Sequence, residues 1–171
     1  MADYVKDVSN VDKLLKVIDE ITKFEIHVGI QADEGSKILM IAYVNEFGFQ
    51  IDVTDKMRAY LGATGLHLKK ETTHINIPER SFIRGGYDEN KAKMERIIEN
   101  LLEKVILMQI TVSQFQDQIG QYCVGLIQEY LTNLRDPENH PYTVDQKGGK
   151  TNPLIDSGEL REKITYKVVK K

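Results

Sequence analysis

The sequence predicts an α+β fold: a single, mostly antiparallel β-sheet packed against two long helices, with a short N-terminal helix and a long mobile loop near the C-terminus. Three observations carry this expectation. Stretches of period two lie near residues 25, 67, 75 and 166, the spacing of half-buried strands. Two long stretches of helical period fall between residues 88 and 130, in a block and not in strict alternation with strands, which favours a segregated α+β layout. Residues 136–156 carry turn dipeptides and little that is apolar.

The elements follow in order. Val11, Leu14, Leu15, Ile18 and Ile21 recur at helical steps and predict a helix over 10–22, with Ser9 or Asn10 as its cap. Phe24, Ile26, Val28 and Ile30 alternate with Glu25, His27 and Gly29, a strand. Asp, Gly and Ser within 31–36 form a turn. A helix over 37–46 follows, ended by Gly48, where positive φ is wanted. Thr54 caps a short helix with Met57, Tyr60 and Leu61. Residues 66–77 read as a hairpin with its turn at 69–72, stopped by Pro78.

Asp88 opens the longest helix, whose apolar stripe is Met94, Ile97, Ile98, Leu101, Leu102 and Val105. Ser113 with Gln116 reads as a capping box, leading into a helix with Phe115, Ile119, Tyr122, Leu126 and Tyr130. Asp136-Pro137, His140-Pro141, Gly148-Gly149 and Asn152-Pro153 punctuate 136–156. About twenty residues without structure inside a compact domain point to a functional or mobile loop. Asp156 or Ser157 caps a short helix, and Ile164, Tyr166 and Val168 make the last strand. Residues 1–171 are read as one domain.

The bulk numbers narrow the function. The 171 residues carry a formal charge of −3, so tight binding of nucleic acid as the main role is disfavoured. One cysteine excludes an intrachain disulfide and a multi-cysteine zinc site. Met1-Ala2-Asp3-Tyr4 lacks a signal pattern, and no apolar run approaches the ~20 residues of a membrane span. A reducing, soluble compartment is the expectation.

Catalytic patterns are sparse. His27, His67, His74 and His140 fall in no metal-binding helical motif. His67 and His74 facing each other across a hairpin, with a carboxylate, would be the basis of a metal-dependent hydrolase. Solvated histidines are the plainer reading. Cys123 lies in an apolar stripe and reads as a buried structural thiol. Gly148-Gly149-Lys150-Thr151 lacks the strand and helix of a phosphate loop. The acids of 88–103 alternate with Lys and Arg, a solvated face.

Three segments together resemble one family. They are Ala42-Tyr43-Val44-Asn45-Glu46-Phe47-Gly48, then Ile77-Pro78-Glu79-Arg80-Ser81-Phe82-Ile83-Arg84 before a helix, and the run from Asn152-Pro153-Leu154-Ile155-Asp156-Ser157-Gly158 through Leu160-Arg161 to Val168. Their order and spacing are similar to those of phage tail-completion and virion-morphogenesis proteins, over most of the chain from about residue 24. Asn45 and Ser81 depart from the histidine and proline common there.

The resemblance implies a structural virion protein of a tailed bacteriophage, with no catalysis, cofactor or metal. It would be a tail terminator, a homo-oligomeric ring, hexameric by expectation, at the head–tail interface. Its partners would be the tail tube protein and the head–tail connector, with DNA only in transit and no membrane. It would assemble in the bacterial host cytoplasm and end in the virion neck. Alternatives are another neck or head-completion ring, or a non-enzymatic adaptor for a host protein. The candidate interface residues are Phe47, Arg80, Phe82, Arg84, Asp156, Leu160 and Arg161. Arg80 and Arg84 flank a buried Phe82. They either stabilise a strand-to-helix corner or pair with acids of a neighbouring subunit.

Overall fold

A computed structural model describes residues 10–171. Helix α1 is Val11–Ile21, strand β1 is Phe24–Ile30, and a single 3-10 turn occupies Ala32–Glu34. Helix α2 is Ser36–Phe47, β2 is Phe49–Asp52, α3 is Asp55–Ala63 and β3 is His74–Ile77. The long helices are α4, Phe82–Ile106, and α5, Val112–Asn133. Short helices α6, Pro141–Gln146, and α7, Glu159–Glu162, precede β4, Ile164–Lys170.

The α+β class stands, but the sheet is not single. Strand β1 pairs antiparallel with β4, from Phe24 opposite Lys170 to Ile30 opposite Ile164. Strand β2 pairs antiparallel with β3, from Phe49 opposite Ile77 to Asp52 opposite His74. The two pairs form separate two-stranded sheets. The expected strand at Leu66 and Leu68 does not form, and β3 takes Phe49–Asp52 as its partner. Four residues with only Phe49 and Ile51 apolar are too short a signal to read as a strand beforehand.

Helices α4 and α5 pack on each other, and β1–β4 lies on α5. Phe82, Val105, Leu131 and Ile164 are the most deeply buried side chains, each contributing about 1.5–3 kcal/mol by leaving water. Phe24 meets Phe115 edge to face, ring centroids 6.4 Å apart. Gly120 lets α5 approach β4: a Cβ there would lie 2.3 Å from Cδ2 of Tyr166.

Helix α4 starts at Phe82, six residues before Asp88. The paired Gly85 and Gly86 disguise its first turn. Gly85 makes room inside the helix for the Tyr130 ring of α5, which lies where a side chain would be, while a Cβ at Gly86 would meet the same ring at ordinary contact distance. The capping box of α5 is Thr111 with Gln114, not Ser113 with Gln116. Thr54 caps α3 by accepting from Met57 N. Asn10 stands at the cap position of α1 without a side-chain cap bond, and Ser9 lies outside the described residues.

Residues 136–156 are not an open loop. They contain α6, whose first turn begins with Pro141 and is capped by His140, Nδ1 accepting from Tyr142 N at 3.2 Å. Long-range partners hold the segment. Tyr142 donates its hydroxyl to Thr64 Oγ1 at 2.7 Å. Asn152 Nδ2 donates to the carbonyls of Leu131 and Thr132 at 3.3 and 2.9 Å, closing the end of α5. The composition read as loop because these ties are polar and remote in sequence.

Candidate functional site

The three motif segments, far apart in the chain, converge around α2. Gly48, φ 71, ends α2 and turns the chain into β2. A side chain at Gly48 would lie 3.0 Å from Glu79 N and 3.1 Å from Ile77 O, so glycine meets both the dihedral and the close approach. Strand β3 then delivers Pro78 and Glu79 to the start of α4, where Arg80 N donates to Asn45 O at 2.7 Å.

Glu46 is the centre of this corner. It is 5% exposed, and its carboxylate is filled by donors. Oε1 accepts from Ser81 Oγ at 2.9 Å, Arg84 N at 3.0 Å and Arg84 Nε at 3.0 Å. Oε2 accepts from Ile83 N at 2.9 Å. Ser81 occupies the cap position of α4 but makes no side-chain cap bond. The cap is instead a carboxylate supplied by α2, where free amides and the helix dipole favour negative charge.

Arg84 completes the corner on the outside. Its Nη2 donates to Glu46 O at 2.7 Å and to Glu79 Oε1 at 2.8 Å. Its guanidinium carbon stands 4.6 Å from the centroid of the Phe47 ring, and Phe47 lies 4.9 Å from the Tyr43 ring. Hydrogen bonding to Glu46 holds the Arg84 guanidinium above its ordinary pKa, against a desolvation that lowers it.

Arg80 points the other way. It is 5% exposed, with Nε on Pro137 O at 2.7 Å and Nη2 on Glu138 O at 2.9 Å. Burial lowers its pKa. A planar fork that meets two adjacent carbonyls is a role lysine cannot fill.

The third segment packs from below. Leu154 and Leu160 are buried in the same core cluster as Ile38. A cleft of about 320 Å³ between them and α2 is lined by Ile41, Asn45 and Pro153. Asn152 Oδ1 accepts from Leu154 N and Ile155 N at 2.8 and 2.9 Å. Ser157 Oγ accepts from Glu159 N, and Gly158, φ 94, stands at the cap position of α7.

The sequence-predicted residues therefore divide. Phe82 and Leu160 are core, and Arg80 is buried on backbone carbonyls. Phe47, Arg84, Asp156 and Arg161 are exposed. Phe47 and Arg84 touch; Asp156 lies near Lys150 and not at that contact. Glu46 and Asn152 were present in the motifs without a role. Glu46 could have been singled out as the lone acid on a mostly apolar helix, and Asn152 as an amide immediately before proline.

Two apolar grooves flank the corner. One, of about 910 Å³, runs between α2, the β2–β3 hairpin and α6, lined by Met40, Val44, Phe49, Ile77 and Tyr142. The other, of about 720 Å³, lies between β1 and α4, with Phe24, Ile26, Met94 and Phe115 in its walls. His74 pairs with Asp52, 3.1 Å away across β2–β3, and not with His67. Among the described residues no three His, Cys, Asp or Glu side chains are grouped to hold a metal ion. Cys123 is buried, and burial raises its thiol pKa. Among the described residues no helix is long and apolar enough to cross a membrane.

Comparison with protein-family models, with curated proteins and with solved structures finds no match for the chain.

Proposed function

We propose that the chain is a structural subunit of a tailed bacteriophage, of the tail-completion type. Copies close into a ring, a hexamer, at the head-proximal end of the tail. The ring stops tube polymerisation and presents a surface to the head connector, and DNA passes through its lumen without tight binding. The work is done by shape and surface, not by bond making.

One observation carries this reading. The segments that resemble the family come together in one corner, and their charged groups bond within the chain: Glu46 to Arg84, Ser81 and the start of α4, and Arg80 to two carbonyls. A corner of this kind holds the outer face of α2 in a fixed position, as an assembly subunit requires. That face shows Met40, Tyr43 and Phe47 to solvent.

Light scattering of the purified chain with negative-stain images of the same sample is the test. Six-fold rings are expected, and the rings should bind the end of a preformed tail tube and halt its growth. A chain that stays monomeric and leaves tube growth unchanged contradicts the reading.

A further inference from the structure

We infer that the open edge of β1 is a docking slot for an extended segment of a partner protein, which enters beside α4 as a third strand of the β1–β4 sheet. The inference does not rest on the ring reading, and the slot takes no residue from α2.

The pairing of β1 fixes which of its backbone groups are in use. Lys171 N donates to Lys23 O at 2.9 Å, so Lys23 and Lys171 form a hydrogen-bonded pair just before the strand. Bonded and non-bonded pairs alternate along an antiparallel ladder. Glu25, His27 and Gly29 therefore bond to β4, and Phe24, Ile26 and Val28 turn their N–H and C=O groups to the other edge. Among the described residues no hydrogen bond reaches those groups. Such an edge is a template for another strand, and proteins usually blunt it with proline or an inward charge. Strand β1 has neither: its inward side chains are Phe24, Ile26, Val28 and Ile30.

The helix layer leaves room for the added strand. Two packed helices such as α4 and α5 make a layer about 20 Å wide. Two strands about 4.8 Å apart cover roughly half of such a layer, and β1–β4 lies on α5. The uncovered part is the groove of about 720 Å³ between β1 and α4. Phe24, Ile26 and Val28, the residues with open backbone groups, all line it. From α4 it takes Tyr87 and Ile98, which remain 48% and 37% exposed. The slot ends where β1 meets α4: a Cβ at Gly29 would lie 3.6 Å from Ile83 Cδ1.

The occupant is a lone strand from a different protein. A second copy offers β1 to β4, but each has its apolar face in use, β1 and β4 on α5 and β2 and β3 beside α2. None is free to turn that face to α4. The loops are tied down as well, 69–72 by Arg58 and 136–156 by Arg80 and Asn152. Charge narrows the partner's pattern. On the rim, Arg84 is held by Glu46 and Glu79, and Lys91 pairs with Glu95. That leaves Asp88 on α4, with Glu25 on the outer face of β1. A segment with apolar residues at alternate positions and lysine or arginine between them fits both slot and rim.

The test adds a fluorescein-labelled heptapeptide, Lys-Val-Lys-Ile-Lys-Val-Lys, to the full chain and reads anisotropy and amide exchange by NMR. Saturable binding of one peptide per chain, with Kd below about 1 mM, is expected. In the free chain the amides of Phe24, Ile26 and Val28 should exchange fast and those of Glu25, His27 and Gly29 slowly. Peptide should slow the first set at least about tenfold. Peptides N-methylated at either alternate set of residues keep the side chains and the charge. The set that faces β1 should bind at least about tenfold more weakly and the other should bind as before. Ile26→Pro removes one edge donor without touching a bond to β4, and should weaken binding in the same way. Tyr87→Lys, at an exposed residue of the slot, should do so with the thermal midpoint unchanged, and keeps the slot testable if Ile26→Pro does not fold. No saturable binding up to about 1 mM overturns the inference. So does equal binding of the two N-methylated peptides, which would leave only apolar and charge contact. Slow exchange at Phe24, Ile26 and Val28 in the free chain overturns it as well. Release by dilution would then assign the edge to a second copy, and release by deleting residues 1–9 would assign it to the chain's own beginning.

Discussion

At the residue scale, Glu46 is the side chain on which the corner depends. Its two oxygens accept from Ser81, Ile83 and twice from Arg84. Removing the carboxylate leaves two helix amides without their partners and Arg84 with Glu79 as its remaining acid. Breaking a buried pair costs about 3–5 kcal/mol. Arg84 is half exposed, so water recovers part of that. Glu46→Ala is expected to lower unfolding free energy by about 2–3 kcal/mol in a denaturant titration. Glu46→Gln keeps one acceptor oxygen and should lose about half as much. Glu79→Ala, at an exposed pair, should change stability by less than about 0.5 kcal/mol. Equal effects at Glu46 and Glu79 would mean that the carboxylate does not hold the corner.

At the scale of elements, the periodic segments were legible and the partner-dependent ones were not. Helices α1 and α5 and strands β1 and β4 announce themselves through apolar residues at regular spacing, and α2 and α3 through Gly48 at the end of one and Thr54 at the start of the other, signals each segment carries alone. Strand β2 is four residues long and exists because β3 pairs with it. The first turn of α4 exists because α2 caps it and α5 fills the space at Gly85. Neither fact is local, so neither shows in a window of sequence. The same non-locality gives two glycines of α5 opposite expectations. A Cβ at Gly120 would meet the Tyr166 ring, while at Gly125 it would meet nothing within 4 Å. Overpacking costs about 1–3 kcal/mol, against up to about 1 kcal/mol of helix propensity gained by alanine. Gly120→Ala should destabilise by about 1–2 kcal/mol, and Gly125→Ala should stabilise by about 0.5–1 kcal/mol, both measured by thermal or chemical unfolding. A stabilising Gly120→Ala would show that β4 does not sit tightly on α5.

At the scale of the whole molecule, residues 136–156 join parts that the helices alone do not connect. Tyr142 ties the segment to α3 through Thr64, Asn152 ties it to α5, and Arg80 ties it to the corner. Leu154 anchors the far end of the segment in the core, and between residues 136 and 150, where no side chain is fully buried, such bonds hold it. Arg80 grips it at its start, through Pro137 O and Glu138 O, while the core around α4 and α5 does not depend on that grip. Arg80→Ala should therefore loosen the segment locally. Losing two charge-assisted bonds, partly offset by water at the freed carbonyls, amounts to about 2 kcal/mol, roughly thirty-fold in the opening equilibrium. Under native conditions cleavage tracks that open population. A brief protease digest followed by mass spectrometry should show cuts between 138 and 150 appearing roughly thirty-fold faster in the variant, with α4 and α5 still protected. Arg80→Lys should fall between the two, since an ammonium cannot meet both carbonyls in the plane of a fork. Equal resistance in the variant and wild type would mean that Tyr142 and Asn152 hold the segment without Arg80. General digestion of the chain would mean that Arg80 supports the core as well as the segment.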